Sequence, residues 1–398
     1  MSYIGFAFQP YVGPWQDSDG DWAADAWSSY SQNVVTSLLS ALQKQGITQI
    51  STYGNGYSAY GGTVAQTDSN QYILPAAKSL GMTIVAGANQ WLDASQPTGW
   101  NLGVTESDIT STLAFAQENP GVVVGLNITN EAIEAGTSTS TEAQFATNIL
   151  NLVEYAIAQL PLYGFQNTDP SSASTYMPIS IRESQGILCG VSQNQSYSAI
   201  LANILEAVNL VYANIYPYGF TYNLGSNPSQ TDFQAYISSQ LTAYYSAIKS
   251  SFSSVSLSIP ICIGETGWPT AGENATTPSL PTSIPLAQWN YEAVVDWANT
   301  NQVTTFAFEA FNEPFKSGLP GSPPNLPRYP GSDQAYFGVF QAIGEVPSSD
   351  YPYNQTNNYN LVNIVQLYNY SGFSSGSLVP AAAAANLEEG IKLYSEKQ

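Results

Sequence analysis

Short apolar runs alternate along this chain with longer stretches whose apolar positions recur every three or four residues. Residues 3–8 are the first such run and predict a strand. Val34, Val35, Leu38, Leu39 and Leu42 then fall at helical spacing, and Gly46 closes that helix. Further strands are predicted over 47–53 and 82–86, with a helix over 70–80 between them that stops at Gly81. Thr105 with Asp108 reads as the N-cap of the next helix, whose apolar face carries Ile109, Leu113 and Ala116. A fourth strand, 122–128, runs toward Glu131. Phe145, Ile149, Leu152, Val153, Ala156 and Ile157 then mark one helix face. A weak fifth strand at 178–181, a helix at 197–208 and a sixth strand at 210–216 follow. After these come a helix at 233–248, a seventh strand at 259–263 leading to Glu265, a helix at 287–299, and an eighth strand from 304. Eight strands separated by helical patterns predict an α/β fold, a (β/α)8 TIM barrel, in preference to a doubly wound sheet.

The end of the chain is less regular. Residues 317–332 are rich in Gly, Pro and Ser, and residues 341–379 in Asn, Tyr and Ser. A barrel domain over 1–379 is expected, irregular from about 341, with 380–398 as a peripheral tail.

Two of the apolar runs end in a carboxylate. Residues 122–131 finish in Thr129, Asn130 and Glu131, and the run from Ile259 to Ile263 is followed by Gly264 and Glu265. Gly267, Trp268 and Pro269 then turn the second run into a loop. Residues at the carboxyl ends of barrel strands face one common mouth, where barrel active sites are built. Two carboxyl groups across a sugar-sized cleft are the minimal apparatus for glycoside hydrolysis, one donating a proton and one attacking. Asn130 can bond a sugar hydroxyl, and Tyr216, ending the sixth strand, can reach a neighbouring carboxylate. Tyr53, Tyr218, Trp268 and Phe311 offer flat faces for sugar rings.

Composition narrows the chemistry. The chain has 398 residues and no histidine, which removes His-based triads, His-ligated zinc and His-based proton transfer. Its two cysteines, Cys189 and Cys262, make neither a zinc site nor a disulfide framework. No metal or cofactor is expected. Charged residues are only 9%, yet Lys plus Arg number 8 against 29 Asp plus Glu, a formal charge of −21. Such a field disfavours nucleic acid and anionic membrane and suits a neutral saccharide. No apolar run is long enough to cross a membrane. The hydroxyl- and amide-rich surface, with sequons at Asn194, Asn274, Asn354 and Asn369, suggests a secreted, extracellular or cell-wall monomer in trimmed form.

Four motifs carry a resemblance. Asn130-Glu131, Asn214-Ile-Tyr-Pro-Tyr218, Gly264-Glu-Thr-Gly-Trp-Pro-Thr270 and Phe308-Glu-Ala-Phe-Asn-Glu-Pro-Phe-Lys316 together resemble glycoside hydrolase family 17, its fungal branch above all. Tyr336-Phe-Gly-Val-Phe340 is similar to an element that follows the eighth strand in that family, so the likeness spans about residues 3–340. The resemblance implies a β-1,3-glucanase or β-1,3-glucanosyltransferase with a retaining mechanism. It makes Glu131 the acid/base and Glu265 the nucleophile. Glu309, Glu313 and Lys316 would line the cleft beside the nucleophile, Lys316 as a cation that keeps a carboxylate ionised.

The chain departs from the pattern in three places. Where the second strand usually reads Arg-x-Tyr, Ser51-Thr52-Tyr53 stands here. Thr129 replaces a Gly before Asn-Glu, and Ile181-Arg182-Glu183-Ser184-Gln185 replaces an Ala-Asp-Ser-Trp-like segment. These departures are expected to bear on subsites, linkage preference and product size and to leave the two carboxylates untouched. Retention requires the carboxyl groups to lie about 5–5.5 Å apart. An acidic optimum and acid tolerance are also expected, because no histidine charges in acid and few bases pair with the acids. Other readings are a β-1,4-glucanase or mannanase on the same barrel, a carbohydrate-binding pseudoenzyme, and an adhesive surface protein.

Overall fold

Eight parallel strands close into a barrel in sequence order: β1 (Ile4–Ala7), β2 (Gln49–Ser51), β3 (Thr83–Gly87), β4 (Val123–Asn130), β5 (Ile179–Ser184), β6 (Leu210–Asn214), β7 (Ile261–Thr266) and β8 (Thr305–Ala307). β8 pairs back onto β1 and completes the ring. The structure is a computed structural model. It describes residues 4–10, 12, 31–54, 69–90, 95–136, 138–219, 221–274, 277, 279–313, 332–345 and 360–368.

Helices connect the strands: α1 (Gln32–Lys44), α2 (Ile73–Ser79), α3 (Leu102–Glu118), α4 (Thr139–Gln159), α5 (Gln185–Gly190), α6 (Ser198–Ala207), α7 (Gln230–Ser254) and α8 (Ile284–Asn301). Serine starts many of them. Ser31, Ser138, Ser184, Ser229 and Ser283 each accept a backbone N–H of the first turn of their helix, which satisfies groups no helix can pair internally. Thr105 and Asp108, by contrast, lie inside α3 and cap nothing. Thr105 Oγ1 accepts from Trp100 Nε1 and donates to the carbonyl of Asn89, while Asp108 accepts the Asn89 N–H. The Thr-x-x-Asp pattern therefore ties α3 to the end of β3.

The core has two layers. Ile4, Ile50, Ile84, Ile128, Ile181, Val211 and Ile263 belong to the larger one, packed with the apolar faces of the helices. Val85, Leu210, Tyr212, Cys262 and Phe306 form a smaller cluster of their own. Strand residues alternate between these two sides. Both cysteines are free and buried.

Past the barrel the chain is more ordered than its composition suggests. β9 (Phe340–Glu345) and β10 (Asn360–Gln366) pair as an antiparallel ribbon, within the part expected to be irregular. The short α5 also has too few residues to show a period. The tail at 380–398 lies outside the described residues. No helix among the described residues is long and apolar enough to cross a membrane.

Candidate active site

The two carboxylates reach the mouth through irregularities in their strands. Ile261 and Ile263 face the helices, and strict alternation would send Glu265 the same way. Instead the register slips at Gly264: Ala213 pairs with Ile263, but Asn214 pairs with Glu265. One extra residue re-aims the next side chain. A Cβ at Gly264 would lie 2.8 Å from Asn214 Oδ1 and 2.9 Å from Arg182 Cγ, so the bulge admits only glycine. β4 slips likewise between Asn127 and Asn130. Glu131 follows directly with φ at 51°, a left-handed conformation that costs a non-glycine residue free energy.

Glu265 is enclosed by donors. Tyr53 donates its hydroxyl to Oε1 at 2.7 Å and Tyr216 donates to Oε2 at 2.7 Å. The Arg182 guanidinium lies 3.6 Å from Oε1. It hydrogen-bonds Ser51 Oγ through Nη2 and sits 4.7 Å over the Tyr53 ring. Arg182 is wholly buried and Glu265 only 5% exposed. Burial first, then the negative charge of Glu265, holds the phenols of Tyr53 and Tyr216 well above the usual tyrosine range, so both remain protonated donors. Two hydroxyl donors and a guanidinium thus surround this one carboxyl group.

Glu131 has the opposite surroundings. Desolvation first, and the charge of Glu265 second, raise its carboxyl from the ordinary 4.5 to about 7, against the Asn214 Nδ2 donor at 2.9 Å. It is therefore protonated in mild acid. Asn214 also donates to Asn130 Oδ1 at 3.3 Å. Gln90 holds the Asn130 backbone on both sides, donating to its carbonyl at 2.9 Å and accepting its N–H. A proton-bearing carboxyl thus faces one ringed by hydroxyl donors and a cation, the asymmetry that proton donation paired with nucleophilic attack requires.

The other residues singled out in the sequence distribute unevenly. Tyr53, Asn130 and Tyr216 join the site. Glu309 and Glu313 are buried in the segment after β8, and the charge of Glu309 reaches Tyr53. Trp268 is not a sugar platform: it is 2% exposed, donates Nε1 to the Pro281 carbonyl, and packs against Tyr218 and Phe233 at 4.8 Å. Phe311 is 1% exposed between Phe8 and Phe340. Tyr218 is buried in the same aromatic cluster as Trp268. Lys316 lies outside the described residues. Among the described residues no group of three or more His, Cys, Asp or Glu is arranged to hold a metal ion.

Arg182, Ser51, Asn214, Gln90 and Glu183 join the site without having been assigned a role from the sequence pattern. The departures in the second and fifth strands do touch the carboxylates after all. Arg182 contacts Glu265, and Glu183 lies against the turn that carries Glu131. A buried Arg-Glu step at a barrel strand end, in a chain with so few cations, was the available signal.

Fold and site together define a (β/α)8 barrel with a two-carboxylate mouth. No family model matches the chain, and no curated protein sequence matches it. Among solved structures it is similar to an endo-laminarinase from Formosa Hel1_33_131, with a TM-score of 0.60 and 22% identity over 85% of this chain and 83% of that one. It is also similar to the glycoside hydrolase family 17 β-1,3-glucanosyltransferase from Rhizomucor miehei, with a TM-score of 0.51 and 16% identity over 84% and 91%. An active-site mutant of the Rhizomucor miehei β-1,3-glucanosyltransferase in complex with laminaritriose gives a TM-score of 0.52 at 16% identity over 84% and 92%. At these identities the shared feature is the barrel.

Proposed function

We propose that the protein is a retaining glycoside hydrolase or glucanosyltransferase acting on β-1,3-glucan by double displacement. The observation that carries this reading is the asymmetry of the two carboxyl groups. Glu131 is pushed up to about 7, while Glu265 accepts from Tyr53 and Tyr216 and faces Arg182. In the first step Glu131 gives its proton to the glycosidic oxygen as Glu265 attacks the anomeric carbon. The sugar–oxygen bond breaks and a glycosyl ester forms. In the second step Glu131, now ionised, takes a proton from water or a sugar hydroxyl, which displaces Glu265. The choice of β-1,3-glucan is supported by the sequence motifs and by the names of the barrels it is similar to. A net charge of −21 fits a neutral polymer, and the polar, sparsely charged surface supports an extracellular or cell-wall setting.

A laminari-oligosaccharide digest followed from its first minutes by proton NMR tests the reading. The first reducing ends should be β. An initial α product means inversion and overturns double displacement. Turnover of cellulose or mannan with none of laminarin overturns the linkage. Products longer than the substrate identify transfer.

The pH profile follows from Glu131. Activity should fall as pH rises through about 7, where this group loses its proton. Stability moves the same way. Between 4.5 and about 7 the native Glu131 holds a proton that the unfolded chain has lost, so its contribution to stability declines as pH rises. A rate profile still climbing at pH 8, or melting temperatures rising steadily from pH 5 to 7, would contradict both.

A further inference from the structure

We infer that Glu183 is a positioning residue for the general acid: its carboxyl grips the backbone of the turn that aims Glu131 into the mouth. The inference rests on the reading of Glu131 given above and adds a residue on the opposite side of the barrel wall.

Side chains alternate between the two faces of β5. Ile179 and Ile181 face the helices, within the outer core. Glu183 has the same parity and is wholly buried, whereas Arg182 points to the barrel interior and reaches Glu265. A carboxyl group buried behind a strand costs free energy unless something requires it. What meets it is the backbone that follows β4. Ile133 donates its N–H to Glu183 Oε1 at 3.1 Å, and the Ala132 N–H also bonds the carboxyl. The residue before them is anchored to the same strand, Glu131 N–H to the Arg182 carbonyl at 2.8 Å.

Three successive N–H groups, of residues 131 to 133, are thus held by two neighbouring residues of β5. Consecutive N–H groups around a left-handed residue form a concave nest for an acceptor oxygen. Here the left-handed residue is Glu131 itself, at φ 51°. A side chain in that backbone conformation persists only where its surroundings impose it. Glu183 is the side chain that imposes it, and the turn closes further through Ala135 N–H to the Glu131 carbonyl and Gly136 N–H to that of Ile133. Burial, and then the charges of Glu131 and Glu134, favour neutral Glu183, against the two N–H bonds; the Tyr197 phenol is a further titratable group in its surroundings. A neutral carboxyl is still an acceptor, so an amide should replace it.

The test separates proton donation from general damage by leaving group. A dinitrophenolate departs without a proton, whereas the glycosidic oxygen of a laminari-oligosaccharide needs one. Glu183→Met removes the acceptor and nearly keeps the volume. Its kcat/KM on laminari-oligosaccharide should fall about 100-fold, the scale of a misplaced reacting group. On a dinitrophenyl β-laminarioligoside its kcat/KM should stay within about threefold of the parent. Glu183→Gln should recover most of the loss. If the Met variant does not fold, Glu183→Asp, which withdraws the carboxyl by one methylene, should show the same leaving-group selectivity. Equal losses on both substrates, or no loss on either, overturn the inference while leaving the function intact. A parent protein inactive on both substrates overturns the function and the inference with it.

Discussion

Glu265→Gln should reduce turnover by roughly five orders of magnitude, equivalent to about 7 kcal/mol of transition-state stabilisation. Under the double displacement proposed above, the amide cannot form the glycosyl ester, so the loss should be equally deep on laminari-oligosaccharides and on dinitrophenyl glycosides. That distinguishes it from variants that act through Glu131, which spare kcat/KM on the activated substrate. Sugar binding should survive, because the nucleophile does its work in bond formation and not in holding the ground state. Calorimetric titration of the variant with laminari-oligosaccharide should therefore give an affinity near the parent KM. Some stability should go, since the wholly buried Arg182 loses the anion it pairs with. A variant that retains activity within tenfold of the parent would transfer the nucleophile's role to Glu309 or Glu313.

The barrel was legible because its signal is periodic. Eight apolar runs and the helical spacings between them survive small errors at every boundary, and all eight strands form. The carboxylates were legible for a related reason, since a Glu after a buried run stands out against an otherwise sparsely charged sequence. Their orientation was not. Alternation counted from Ile261 and Ile263 points Glu265 at the helices, and only the slip at Gly264 brings it to the mouth. A bulge has no periodic signature; a glycine before a strand-end Glu is its only trace. The aromatic residues show the reverse error. Trp268 and Phe311 sit near strand ends, but a large ring there is as useful to packing as to a sugar, and packing has taken both. The β9–β10 ribbon was missed because polar residues dominate the segment that contains it.

The missing cation of the second strand shows most clearly what linear order hides. The resemblance calls for an arginine at position 51, where this chain has Ser51. The structure fills that place from across the barrel, with the Arg182 guanidinium bonded to Ser51 Oγ and 3.6 Å from Glu265. A closed barrel brings the ends of β2 and β5 to one mouth, so a charge can come from either strand. Gly264 leaves the space through which the Arg182 stem passes. Arg182→Met should therefore cost twice over. It leaves a buried carboxylate without its cation, worth roughly 3–5 kcal/mol of stability. It also removes the cation that orients Glu265 and Tyr53 at the mouth, lowering kcat by about two to three orders of magnitude. Arg182→Lys should recover only part, because a point charge cannot bond Ser51, face Glu265 and cover the Tyr53 ring together. Moving the charge is the sharper test. Ser51→Arg combined with Arg182→Ser should restore at least about tenfold of the rate lost in Arg182→Ser alone, with a matching rise in melting temperature. Additive losses in the double variant would show that the cation has to come from β5, and that this mouth differs from the family pattern in more than the origin of one side chain.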